Sequence, residues 1–233
     1  MNNATLQLKI KQRLNKLASN DFDNIECWQI VEAFNKAQLE WVRRQLHGSN
    51  TSKEADEESK RRIDDLQKLL VDTTLNVRNR ITFYESSALP SNYLEFKRVA
   101  AFAKNECCPE RSLSVYQAEE ANTDQLLRDA YKSPSWEWAE TFCTLIDNRI
   151  RIYTDQKFEL VRPRLYYYRQ PVKIQILNCV DPYTQQTSTL DIPCEFKDDI
   201  VELLIDEAAA ILAGDIESTI QYQRGTMSAE RNN

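Results

Sequence analysis

The sequence predicts an α+β protein, a helical bundle of N-terminal helices and one C-terminal helix with a β-rich lobe inserted between them. Three observations carry this reading. All seven prolines (90, 109, 134, 163, 171, 182 and 193) fall between residues 90 and 193, and long helices exclude proline from their interiors. The flanks carry apolar residues at helical spacing, whereas the middle carries short runs that alternate. Near the C-terminus, Ile200, Leu203, Leu204, Ala208, Ile211 and Leu212 recur with a period near 3.6, and Val201, Ile205 and Ala209 widen the stripe. A helix from Phe196 to Tyr222 would be roughly 40 Å long at about 1.5 Å per residue. One that apolar needs several neighbours, and the N-terminal segment offers them. The resulting division is 1–84 for the N-terminal helices, 85–192 for the lobe, 193–222 for the last helix and 223–233 for a flexible polar tail.

In chain order, Leu6, Ile10, Leu14 and Leu17 predict a first helix over about 4–18. Asp23 with Glu26 reads as a capping box opening a second helix, about 24–46. Its stripe is Cys27, Val31, Phe34, Gln38, Trp41 and Gln45, and Gly48 ends it. Ser49-Asn50 make a turn, and Thr51 with Glu54 open a third helix over about 52–80. There Ile63, Leu66, Leu70, Thr73 and Val77 follow heptad-like spacing. Helices two and three then form a long charged hairpin over 24–80, a shape suited to reaching a partner. Strands follow at Tyr93 to Ala103 and Arg111 to Tyr116, then a short helix from Asn122 to Tyr131. A hairpin comes next, Thr141 to Ile146 and Arg149 to Tyr153, turning at Asp147-Asn148. Further strands run from Phe158 to Arg169 and start at Val172 to Ile176.

Composition narrows the function. The net charge of −6 resides in residues 194–233, which hold 3 basic and 9 acidic side chains, while 1–89 and 90–193 are near neutral. No apolar run approaches the roughly 20 residues of a membrane span, and no basic-then-apolar start suggests a signal peptide. The six cysteines (27, 107, 108, 143, 179 and 194) form no CxxC pair and read as reduced, mostly buried thiols. Only three glycines occur, none clustered, so no phosphate-cradling loop is present. The single histidine, His47, closes a helix, where a cation suits the dipole. No nucleophile, metal or cofactor motif occurs, so neither an enzyme nor a bound cofactor is expected. Arg149, Arg151, Arg162 and Arg164 could form a basic stripe on neighbouring strands beside Tyr166 and Tyr168. Nearby acids favour salt bridges over nucleic-acid binding.

Several loose motifs occur in one order: Leu89-Pro-Ser-Asn-Tyr-Leu, Ala130-Tyr-Lys-Ser-Pro-Ser and Arg149-Ile-Arg-Ile-Tyr-Thr. Then come Val161-Arg-Pro-Arg-Leu-Tyr-Tyr-Tyr-Arg-Gln-Pro and Ile192-Pro-Cys-Glu-Phe. In this the chain resembles the head-to-tail adaptor, or neck ring, proteins of short-tailed bacteriophages, including the crAss-like group. The resemblance spans about 85 to 220. It implies a structural virion protein at the head–tail interface, assembled in the host cytoplasm. It also implies a ring, commonly of twelve copies, that contacts the portal and the tail or next neck ring. DNA passes through the ring without specific binding, and no membrane is involved. On this reading Asp198, Asp199, Glu202, Asp206, Glu207, Asp215 and Glu217 would face the lumen or dock a basic neighbour. Trp136, Trp138, Arg149, Arg151, Arg162, Arg164, Tyr166 and Tyr168 would contact the next subunit. The alternative is a cytoplasmic, non-enzymatic binding module that uses hairpin 24–80.

Overall fold

An eight-stranded sheet dominates the protein, which corrects the expectation of a helical bundle with a β-rich insert. The computed structural model describes residues 1–15, 25–47, 64–105 and 108–215. Two units emerge: Met1–Lys68 with Pro171–Asn233, and Leu69–Gln170. The sheet unit thus begins at Leu69 rather than 85 and ends at Gln170 rather than 192.

The early start of the sheet overturns part of the expected third helix. Residues Leu70–Thr74 form β1 and Val77–Asn79 form β2. Leu66, Leu70, Thr73 and Val77 fit a heptad, but Leu69, Val71, Thr73, Leu75 and Val77 also alternate with period two. The β-branched content of that run favours the pleated conformation. Residues 64–66 are helical. The helix-two cap at Asp23, the stop at Gly48, the Ser49-Asn50 turn, the Thr51 and Glu54 box and the 223–233 tail lie outside the described residues.

The remaining strands are β3 (Phe83–Ser86), β4 (Tyr93–Asn105), β5 (Cys108–Gln117), β6 (Glu140–Ile146), β7 (Arg149–Tyr153) and β8 (Glu159–Arg169). Their order across the sheet is β1-β8-β4-β5-β6-β7-β3-β2. The two edge strands are therefore joined by Leu75-Asn76 alone. Three Cα steps reach about 10 Å at most, whereas a flat sheet of this size would part its edges by roughly 34 Å at about 4.8 Å per strand. The sheet must curl into a half-barrel. Its concave core holds Leu75, Leu89, Val99, Cys143, Ile150, Ile152, Leu165 and Tyr167. Pro163 sits inside β8 because the register slips opposite Ala100–Phe102 and Arg162 takes φ 48°. Such a bulge tolerates the missing N–H. The β6–β7 hairpin follows the sequence reading: Asp147 and Asn148 take φ 47° and 56°, as a two-residue hairpin turn of the primed type requires.

The β2–β3 connection is strained. Ile81 takes φ 76°, costly for a β-branched residue, while its side chain is 72% exposed. The turn is held by Ile81 N donating to Asn79 Oδ1 at 2.8 Å and Arg80 N donating to Phe83 O at 2.8 Å. Ile81→Gly removes the strain and little burial, so the sheet unit should gain about 1 kcal/mol. A thermal midpoint unchanged or lowered in this variant would contradict the strain.

In the other unit, α1 (Asn3–Asn15) and α2 (Cys27–His47) pack with a later helix, Asp198–Asp215. Leu6, Ile10 and Leu14 of α1 are buried, as are Ile200, Val201, Leu204, Ile205, Ala208, Ala209 and Leu212 of the later helix. The last helix starts at Asp198 rather than Phe196, with Phe196 packed edge-on against Trp41 at 5.2 Å. On α2 the buried face is Ile30, Ala33, Phe34, Ala37, Gln38, Trp41 and Val42. It is rotated away from the expected Val31 and Gln45 because two alanines let neighbours approach. The strand expected at Val172 to Ile176 does not form; two isolated bridges, Gln175↔Ile192 and Val180↔Thr187, shape the segment instead. Asn35 pins it, its Oδ1 accepting from Ile174 N at 2.9 Å, and Asn3 Nδ2 donates to Gln175 O at 2.8 Å. Cys27 and Cys179 form a disulfide with Cα atoms 5.8 Å apart, which overturns the expectation that all cysteines are reduced. A separation of 152 residues hides the pairing from local spacing rules.

Candidate functional site

The parallel β5–β6 pair needs a crossover, and this builds the most distinctive surface of the sheet unit. The crossover contains a 3-10 turn (Glu120–Asn122), a short helix α3 (Thr123–Arg128) and loop 129–139. Asn122 precedes α3 as expected, but its side chain makes no cap bond and donates to Glu119 at 3.3 Å. With α3 so defined, the Asp198–Asp215 helix is α4.

Loop 129–139 is held from both ends. Asp129 O accepts from Ser133 N at 2.9 Å, and Asp129 Oδ1 accepts from Tyr131 N at 2.9 Å. Tyr116 donates its hydroxyl to Lys132 O at 3.0 Å. Ser135 and Glu140 exchange backbone bonds at 2.9 and 3.2 Å. Trp136 anchors the middle: its ring packs with Ala103, Leu113 and Phe158, and Arg111 stacks on it at 4.2 Å. Two rings remain outward, Tyr131 at 89% exposure and Trp138 at 72%. Single exposed apolar residues are ordinary. Two aromatic rings on one fixed loop lose little further freedom on binding, which suits a contact surface.

The expected interface residues therefore separate. Trp138 is outward. Trp136 is half-buried, Tyr166 is half-buried beneath Arg98 at 4.1 Å, and Tyr168 is buried with Lys97 at 6.0 Å. Tyr131 was missed because it stands at the end of an expected helix; Pro134 close behind it was the available sign of a loop. The arginines do not form one stripe. Arg149 and Arg151 lie on β7, Arg162 and Arg164 on β8, and β4, β5 and β6 stand between. Arg149 and Arg151 each reach Glu85 at 3.6 Å, Arg164 reaches Asp72 at 3.3 Å and Arg162 pairs with Glu110. The Arg162–Glu110 and Arg164–Asp72 pairs are exposed and each worth about 0–1 kcal/mol, whereas Glu85 beneath Arg149 and Arg151 is only 13% exposed.

Four of the described acids of α4 are ion-paired within the protein, although Asp198 remains 74% exposed. Asp198 receives the N-terminal ammonium at 2.6 Å, Glu202 pairs with Lys9, and Asp206 accepts from Arg13 Nε at 2.6 Å. Glu207 pairs with Arg44 of α2. Asp199 is exposed. The side chain of Asp215, and Glu217, lie outside the described residues. The expected acidic wall is thus largely an ion-paired seam between α1, α2 and α4.

Glu207 is the unusual member. Burial pushes its carboxyl above the ordinary glutamate range, and the nearby Glu40 adds to this, although Arg44 pulls the other way. A folded-state pKa above the unfolded one gives stability that is full at low pH and fades as pH rises through the folded value. Glu207→Gln should flatten that decline above the ordinary glutamate pKa. Denaturation midpoints across pH would test it; an unaltered slope in the variant would discard the assignment. Among the described residues, no group of three or more His, Cys, Asp or Glu side chains could hold a metal, and no helix is long and apolar enough to cross a membrane. No protein-family model matches the chain, and no curated protein matches it.

Proposed function

We propose that the protein is a non-enzymatic structural component of a phage neck, a homo-oligomeric adaptor between portal and tail through which the genome passes. Loop 129–139 is the observation that carries the reading. It is fixed by its own hydrogen bonds, anchored by Trp136 and left with Tyr131 and Trp138 outward. The order of motifs from Leu89 to Phe196 supports the specific assignment to a neck ring. Aromatic anchors of this kind concentrate binding energy at specific interfaces. Glu202, Asp206 and Glu207 contribute to the protein's own helix seam, so Asp198 and Asp199 are the described acids left to line a passage.

Native mass measurement tests the reading. The wild-type chain, alone or with its portal, should form a discrete ring-sized species. The Tyr131→Ala/Trp138→Ala pair should weaken association by more than about 2 kcal/mol at each subunit contact. Its circular dichroism should remain that of the wild type. A wild-type chain that stays monomeric at high concentration and beside a portal would overturn the proposal.

A further inference from the structure

We propose that the Cys27–Cys179 disulfide is a reversible redox latch that fastens the tip of the 172–192 segment to the start of α2. The segment is held at two levels. Its base is fixed by non-covalent contacts: Asn35 on Ile174, Asn3 on Gln175 and Ile192, and Val172 N donating to Glu195 Oε1 at 2.8 Å. Its tip, residues 177–190, meets α2 through the disulfide and an edge-on contact of Tyr183 with Trp28 at 6.3 Å. Leu177, Val180, Tyr183 and Leu190 of the tip are exposed, so little burial opposes its release. Segments with few buried apolar contacts open locally at low free energy. Cys179 and Trp28 also line a cleft of about 580 Å³ between α2 and this segment, so the latch sets the cleft's width.

The two sulfurs differ in a way that suits exchange. Cys27 is the first residue of α2 and half-buried, the more accessible of the two sulfurs, with the Glu26 carboxylate beside it accepting from Trp28 Nε1 at 2.8 Å. Cys179 is buried. The buried thiols Cys143 and Cys194 are pushed up to about 12 and about 11 by desolvation, which makes them poor nucleophiles. With a low-molecular-weight disulfide as oxidant, the Cys27 thiolate attacks one of its sulfurs and expels a small thiolate. The Cys179 thiolate then attacks the Cys27 sulfur of the mixed disulfide, forming the protein S–S bond and expelling the second small thiolate. Two protein thiols are oxidised, one small disulfide is reduced to two thiols, and the two protons pass to those thiols. An excess of small thiol reverses both steps.

This inference stands apart from the neck-ring reading, because it concerns one unit of one chain. Hydrogen exchange of the full-length protein, poised with oxidised or reduced glutathione, tests it. Reduction should raise amide exchange across 177–190 by about tenfold or more, close to the unprotected rate, while α2 and α4 stay well protected and lose only what the cross-link contributed. Cys27→Ser/Cys179→Ser should reproduce the reduced pattern in either buffer. Cys179→Ser alone should accumulate glutathione on Cys27, located by peptide mass mapping because Cys108 is exposed. Unchanged exchange in the tip, α2 and α4 becoming as fast as the tip on reduction, or failure of the two thiols to join under oxidised glutathione would each overturn the latch.

Discussion

Phe142→Ala should lower the stability of the sheet unit by about 3–5 kcal/mol, the usual cost of emptying a buried aromatic site. Phe142 lies on β6, fully buried, with its ring stacked on Tyr153 at 4.5 Å and tilted against Tyr116 at 5.8 Å. It points opposite to Cys143, away from the concave core, and the 3-10 turn of the crossover packs against the same strand. The cavity would therefore open beneath the crossover that carries loop 129–139. For a unit of this size the thermal midpoint should fall by more than about 12 °C. A loss below about 1 kcal/mol would mean that the crossover collapses into the space, and that its present geometry is not set by this ring.

Cys179→Ser should remove about 2–4 kcal/mol from the helical unit in oxidising buffer and almost nothing in reducing buffer. The chain-entropy account gives roughly 5 kcal/mol for a loop this long, but native strain and residual structure commonly reduce the measured value. Denaturant midpoints of wild type and variant, taken with and without reductant, separate the cross-link from any packing effect of the serine. Equal losses in both buffers would show that the thiol contributes through packing rather than through the bond.

Both predictions fall on features of unequal visibility in the sequence. The β6–β7 hairpin was readable because Asp147-Asn148 carries its own turn chemistry, and α4 was readable because its stripe is unusually wide. Residues 70–79 were not, since Leu70, Thr73 and Val77 satisfy a helical period while the same run also alternates. Only the pairing of β1 with β8 and of β2 with β3 decides between them. The scattered arginines shared a local pattern, Arg-x-Arg, but sheet order separates the two pairs, and sheet order is a long-range property. In the candidate site the sequence marked Trp136 and Trp138 together. Which ring anchors and which faces out depends on Phe158 and Arg111, remote in sequence from each other. The disulfide lay beyond any spacing rule.

The helical unit is interrupted in sequence, and this has a consequence for synthesis. Every strand of the sheet unit has been made once Gln170 is made, whereas α1 and α2 meet α4 only after residue 198. At about 5–20 residues per second, the early helices wait on the order of ten seconds for that partner. During this time Leu6, Ile10, Phe34 and Trp41 have no completed core to enter, so the nascent chain offers a chaperone its apolar faces at the beginning rather than the end. Nascent chains halted before α4 should accordingly yield a protease-resistant sheet and cleavable helices. The Cys27–Cys179 bond can form only after residue 179, once every residue of the sheet unit has been made.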